Sequence, residues 1–331
     1  MSDHESPALA GMPEAEILER IFPRLPEAQA ALLGPGDDAA VLAAADGRYV
    51  VTVDMMVHGP DFRLAWSRPA DLGWKAAATN LADVAAMGAV PTALVVAIAA
   101  PPSTRVDVLE GIADGLRQGC ELMAPGCGVV GGDLSASPSL TLSVTAFGDL
   151  QGRPPVLRSG ARDGHVVALA GETGLAAEGL RLLFEQARSD GVPDPDGVAR
   201  LRSRHPRALQ AQLAPTPPIA AGAEAARAGA SAMMDVSDSL ALDASRLARA
   251  SGVDLLLKGS LLDHTGRRLD DILYGGEDHA LLATFPPEAP LPAAFRPIGR
   301  VAEGRGRVLL DGRPLEPEGW QPYRGWDGAA G

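Results

Sequence analysis

Lysine is nearly missing from this chain. Of 29 lysines and arginines, only Lys75 and Lys258 are lysines. Lys75 follows Trp74 and Lys258 precedes Gly259, so neither stands in a G-K-[ST] turn. A Walker A loop needs its lysine there, which excludes a P-loop NTPase. No V-A-I-K or H-R-D string occurs either, which argues against a protein kinase. Cysteine is scarce: Cys120 and Cys127 stand alone in 331 residues. That rules out a disulfide framework and fits a reduced, cytoplasmic setting. No segment is strongly basic and the net charge is −13, so a nucleic-acid backbone is not the expected partner. The six histidines are scattered, with no H-E-x-x-H for zinc. The acidic start, MSDHESPALAG, has no apolar core and does not read as a signal peptide. Val84 to Thr104 carries no charge and is long enough for a bilayer span. However, Gly88, Pro91, Pro101 and Pro102 interrupt it. The segment reads instead as the end of a buried helix, a turn at Pro91 and a buried strand, so no membrane is expected.

What is present is an ordinary globular composition, 46% apolar and 21% charged. The length predicts two domains. The Pro/Gly/Arg-rich connector 151–164 divides them into 1–150 and 151–331. Helical spacing predicts helices over 14–22, 69–87, 104–123 (capped by Thr104), 173–188, 217–229 and 237–252 (capped by Ser237 or Asp238). Strands are expected over 48–54, 93–99, 128–133, 139–150, 165–171, 231–236, 253–257 and the end of 274–285. A Gly-Gly-Asp turn should close the strand at 128–133, residues 189–198 read as a polar loop, and 295–312 as a small hairpin. Alternating strands and helices in both halves give an α/β or α+β class.

The clearest chemical pattern is a set of aspartates at strand ends and helix starts, beside glycine or small residues. They are Asp37, Asp38, Asp54, Asp83, Asp133, Asp235 and Asp238. A carboxylate at the edge of a core is costly to desolvate without compensation. With so few lysines, divalent cations are the natural partners, and Mg²⁺ prefers carboxylate, water and phosphate oxygens. Asp235 and Asp238 bracket a strand-to-helix junction suited to a phosphate. Asn80 and Asp83, three apart, share a helix face. Each aspartate taken singly also reads as a cap or turn residue. The glycines of GGD and GGED, at 131, 132, 275 and 276, can be read as suppliers of positive φ.

The strings GPGDDAAVL, VTVDMMVHGPDF, KAAATNLADVAAMGAVP, VVGGDLS, VLRSGAR, MMDVSDSLALD and YGGEDHAL are similar in order and spacing to those of the thiamine-monophosphate kinases, within the aminoimidazole ribonucleotide synthetase superfamily. The resemblance runs from about Gly34 to Phe285, with an extension to Trp326. It implies a two-domain α/β (α+β) fold whose N-terminal sheet completes a barrel with its copy in a homodimer. It also implies transfer of the γ-phosphoryl of ATP to thiamine monophosphate, with several Mg²⁺ ions. By position, Asp38, Thr52, Asp54, Asp83, Asp133, Asp235 and Asp238 match the family's metal positions. Asp54, Asp133 and Asp235 are the expected catalytic set. Gly132, Asp133, Arg158 and Ser237 match positions that touch ATP, and Asp61, Glu277 and Trp326 match substrate positions. The chain departs at Val53, where the family often has Thr, and at Asp61, where it often has His. An ionised aspartate cannot donate to a phosphate, so a metal bridge, His58 or Arg63 would have to serve there. The alternatives are aminoimidazole ribonucleotide synthesis or a non-catalytic acidic metal-binding protein. Selenophosphate synthesis would want a reactive N-terminal cysteine, and a carbamoyl-transfer maturation protein a C-terminal one, and neither is present.

Overall fold

A computed structural model describes residues 7–33, 40–189, 192–262 and 266–320. Asp37, Asp38 and Trp326 fall outside these residues.

In the first half, α1 (Glu14–Ile21) and a ribbon of β1 (Ala31–Leu33) and β2 (Val41–Leu42) lead into β3 (Val50–Val57). Then come α2 (Pro69–Ala86), β4 (Val90–Ala100), α3 (Val106–Met123), β5 (Gly128–Ala136) and β6 (Thr141–Asp149). The four long strands form one sheet in the order β3-β6-β4-β5, antiparallel except for β4 with β5. Alternation along β6 places Leu142, Val144 and Ala146 on the buried face. The other face leaves Val51, Val53 and Met55 of β3 about 60% exposed.

Helix α2 covers the buried face. Pro69 suits its first turn, and Asp71 Oδ2 accepts from Arg68 N at 2.8 Å to close a capping box. Its residues are alanine-rich and buried on nearly every side, as expected of a central helix. Glycines let its neighbours come close. A side chain at Gly73 would strike the Ile112 carbonyl, and one at Gly115 the Ala70 carbonyl, so α2 and α3 meet backbone to backbone. Leu81 is fully buried, which favours folding by about 2 kcal/mol.

The second half contains β7 (Val166–Ala170), α4 (Leu175–Gln186), and the short β8 (Arg188–Ser189) and β9 (Val192–Pro193). Helices α5 (Pro195–Arg204), α6 (Pro206–Leu213) and α7 (Ile219–Arg227) follow. Next are β10 (Ala232–Val236), α8 (Leu240–Ser251), β11 (Val253–Leu257), α9 (Leu269–Tyr274) and β12 (Ala280–Phe285). The chain continues through β13 (Phe295–Glu303), β14 (Val308–Leu310) and β15 (Arg313–Pro314). A second sheet has the order β10-β12-β7-β13-β11-β14-β15. One hydrophobic cluster unites Leu81 and Ala85 of α2 with Ile219, Met233, Leu281 and Phe285, so the two sheets share a core through α2.

Several expectations are corrected. Pro91 lies inside β4, opposite Gly148; pairing with β5 begins only at Ala93, so the missing N–H costs no ladder bond on that flank. Thr104 is not a cap: α3 starts at Val106 after Arg105 without a side-chain cap, while the Thr104 carbonyl accepts from Leu9 N. The cap of α8 is Ser239, whose Oγ accepts from Leu242 N at 3.0 Å, rather than Ser237 or Asp238. The supposed polar loop contains the β8–β9 pair and the first turns of α5, capped by Asp194. The GGD segment continues β5 as strand rather than turning, and residues 131, 132, 275 and 276 do not have positive φ. Gly132 is needed because a side chain would strike the Val96 carbonyl. The 295–312 segment is not a hairpin, because β11 lies between β13 and β14. The Asp254 carboxylate gathers the connecting loop over the start of β11, accepting from Arg305 N at 2.9 Å and Arg307 N at 3.0 Å. Among the described residues, no helix is long and apolar enough to cross a membrane.

Candidate active site between the two sheets

A cavity of about 560 Å³ opens where β3 and α2 face β10 and the loop before β12. Asp54 comes from β3, and Lys75, Thr79, Asn80 and Asp83 from α2. Asp235 is the second-last residue of β10, with Ser237 and Asp238 just after the strand. Glu277 and His279 arrive from the GGED loop, Trp320 from the last described segment, and Asp61 from the loop after β3.

Local bonds fix these side chains. Asn80 donates from Nδ2 to the Ala76 carbonyl at 2.9 Å, which leaves its Oδ1 to accept from Asp54 N at 3.2 Å. Thr52 Oγ1 donates to Asp83 Oδ2 at 2.8 Å. Asp61 Oδ2 accepts from Val57 N at 2.7 Å. Asp238 and Asp243 share Arg246, at 2.5 and 2.6 Å. The GGED loop is tied to the end of β10: Glu277 N donates to the Ser237 carbonyl at 2.8 Å and His279 N to the Val236 carbonyl at 3.1 Å. Glu277 and His279 both have left-handed backbone, with φ of 72° and 51°, a conformation that costs energy in non-glycine residues. Between them, the buried Asp278 accepts from Gly174 N at 2.6 Å and Ala176 N at 2.8 Å at the start of α4.

The electrostatics are those of carboxylates forced together. Burial, then the charges of Asp235 and Asp54, push the Asp83 carboxyl up to about 7, against the pull of Thr52. Burial also raises Asp54, with His279 opposing and Asp235 reinforcing. Burial raises Asp61. It lifts Asp243 and Asp278 each to about 6, despite their backbone donors. His279 moves the other way for a buried imidazole: burial lowers it, but bonding to Asp235 and the charge of Glu277 outweigh this and raise it. Its Nδ1 lies 3.4 Å from Asp235 Oδ2 and its Nε2 3.4 Å from Thr79 Oγ1. Burial would raise Glu277, but Lys75 and His279 prevail and hold it below its ordinary value. Lys75 is buried and pairs with Glu277.

The structure therefore brings together Asp54, Asp83, Asp235, Asp238, Ser237, Glu277 and Asp61, with Thr52 behind Asp83. It does not bring Asp133 there. By register, Asp54, Val144, Val96 and Gly132 form one row across the sheet, whereas Met55, Ser143, Ala97 and Asp133 form the next. Alternate rows face opposite sides, so Asp133 points away from the cavity. It also sits three strands from Asp54, roughly 14 Å at the usual spacing. Gly132 shares Asp54's face but is exposed on the far strand, and Arg158 is exposed and does not line the cavity. Asp38 and Trp326 lie outside the described residues. The residues the aspartate pattern did not signal are Lys75, His279 and Trp320. A lysine in an otherwise lysine-poor chain was the available hint for the first, and the histidine adjoining GGED for the second.

Residues 36–150 match the family described as AIR synthase related protein, N-terminal domain. The chain is 44% identical to the thiamine-monophosphate kinase of Mycobacterium tuberculosis over 97% of its length and 93% of that protein. The chain belongs to the thiamine-monophosphate kinase family. A solved member from Stenotrophomonas maltophilia superposes with a TM-score of 0.73 at 31% identity, covering 90% of this chain and 95% of that one. AaThiL, solved in complex with AMPPCP and TMP, gives 0.72 at 32% identity, with 86% and 90% covered. The mixed α/β architecture is thus that of the AIR synthase-related fold.

Proposed function

We propose that this thiamine-monophosphate kinase family member transfers the γ-phosphoryl group of ATP to thiamine monophosphate, giving thiamine diphosphate and ADP. The observation that carries the reading is the convergence of Asp54 of β3 and Asp83 of α2 with Asp235 of β10 and Asp238 just beyond it around one cavity. The acceptor is a phosphate monoester with a second pKa near 6, so it needs no strong general base. One of its oxygens attacks the γ-phosphorus, the bond to the β-phosphate oxygen breaks, and ADP leaves with that electron pair. The difficulty is the approach of two anions.

The carboxylates suit Mg²⁺ by donor chemistry, being hard oxygens with raised proton affinity and little nearby positive charge. Among the described residues, no three Asp, Glu, His or Cys side chains group closely enough to hold an ion alone. That pattern fits Mg²⁺, which is commonly held by one or two carboxylates with the rest of its shell from water and substrate phosphates. Asp54, Asp83 and Asp235 would hold several such ions between them, one or two carboxylates to each, and when bound these would screen the phosphates and stabilise charge on the transferring group. Asn80 keeps the Asp54 backbone in place, and Thr52 orients Asp83.

The division into domains 1–150 and 151–331 is part of the same reading, as is a cytoplasmic homodimer. The exposed apolar row of β3 is the surface on which a second copy would complete a barrel, bringing Asp133 and Gly132 to a shared nucleotide site. The test is to incubate the protein with ATP, Mg²⁺ and thiamine monophosphate and to identify the product. Thiamine diphosphate formed with stoichiometric ADP supports the reading. ATP turnover with another acceptor and none with this one rejects it.

A further inference from the structure

Lys75 occupies a junction. It lines the carboxylate cavity and also a smaller, adjoining one of about 210 Å³, and the two share Pro60, Asp61, Lys75 and Trp320. The smaller cavity is walled mainly by aromatic and aliphatic groups, among them Phe62, Trp66, Phe184 and Leu183, with the Arg63 guanidinium lying over the Trp66 and Phe184 rings. Aromatic walls of this kind fit a flat organic ring. In the larger cavity, Lys75 is the only lysine or arginine among the described residues that line it. Its ammonium pairs with Glu277 and donates to the Gln212 carbonyl at 3.2 Å. An ammonium has three donors, so one remains for a ligand. Helix α2 holds the stem rigidly: Lys75 is 4% exposed, one turn from Thr79 and two from Asp83.

We propose that Lys75 is a catalytic residue whose ammonium binds an oxygen of the acceptor's phosphate at the junction of the two cavities. The inference rests on the proposed function and deepens it. An acceptor with its ring in the small cavity must pass its phosphate by Lys75 to reach the carboxylate cluster. Glu277 aims the ammonium, and the phosphate takes the remaining donor. The buried position makes the contact worth more than a surface pair, while the neighbouring carboxylates keep the lysine from holding the product too tightly.

The test compares wild type with K75M and K75R. The measurements are KM for acceptor and for ATP, and calorimetric binding of thiamine and thiamine monophosphate. In K75M the acceptor KM rises roughly 10- to 100-fold while the ATP KM stays within about two-fold. Affinity for unphosphorylated thiamine is retained, and K75R recovers part of the loss. Should K75M fail to fold, K75M/E277Q removes both charges of the pair, and the thiamine-versus-thiamine-monophosphate discrimination is read in that variant. Loss of discrimination supports the assignment. Discrimination equal to wild type, or equal weakening for both ligands, overturns it. Absence of thiamine diphosphate formation by wild type would instead reject the proposed function itself.

Discussion

Asp54 and Asp133 face opposite sides of one sheet, from its two outermost strands. They cannot grip one ion within a single chain. If Asp133 serves a neighbour's site, D54N and D133N are each inactive as homodimers but complement one another. A heterodimer isolated with two tags keeps one intact site and recovers about half of wild-type turnover per dimer. No recovery would assign both residues to the same site or leave Asp133 without a role.

The exposed row on β3 leads to a second expectation. V53E places a charge among the apolar residues Val51, Val53 and Met55 and should leave a folded monomer, since the side chain already points out of the chain's own core. Sedimentation would show the halved mass, and activity would fall with it. A V53E dimer would move the interface elsewhere.

Asp83 is where binding and stability oppose each other. D83N removes a carboxyl that burial and two neighbours have pushed up to about 7. The cation-free variant should melt higher than wild type at pH 8, by an amount on the order of 1 kcal/mol, with turnover severely reduced. A lower melting temperature would mean that the bond from Thr52 outweighs the repulsion.

The pH dependence has a defined sign. A carboxyl raised on folding holds its proton more tightly in the native state, so stability falls as pH climbs from the ordinary value near 3.8 towards about 7. Asp243 and Asp278, each raised to about 6, add to the same slope, and so does His279, whose raised affinity for a proton is lost on the alkaline side. Mg²⁺ bound as proposed would compete with the Asp83 proton. Its stabilising effect in a thermal melt should therefore be larger at pH 8 than at pH 6, with proton release on binding near neutrality. Chelation should reverse it.

Asp278 and Gly276 test the GGED loop as a scaffold. D278A strips two α4 amides of their acceptor and should cost about 1–3 kcal/mol in denaturant unfolding. G276A drives a methyl into the Ser237 carbonyl and should destabilise as well. Full stability in both would show that the loop's left-handed residues are held by other contacts.

Much of this architecture was legible in the residues. The 69–86 helix has a proline start and helical spacing, and 141–149 alternates cleanly, so local pattern decided both. Asp54, Asp83 and Asp235 stood out because carboxylates beside apolar runs need a reason. The aromatic wall formed by Trp66 and Phe184 could not be seen, because it joins residues from different halves of the chain. Likewise, nothing local in VDLLL shows that β11 would slip between β13 and β14; a single buried carboxylate, Asp254, organises that crossing. The GGD glycines misled because glycine serves both turns and close strand contacts, and only the Val96 carbonyl decides between them.

Helix α2 rests backbone to backbone on α3, and Gly222 of α7 lies against the Ala85 carbonyl on its other flank. The same rod carries Lys75, Asn80 and Asp83. A hinge opening the two sheets would have to peel apart the close seam at Gly222, while the α3 seam keeps the rod fixed to the first half. The floor of the site then behaves as an anvil, with Lys75, Asn80 and Asp83 held at fixed spacing whatever ligand is laid across them.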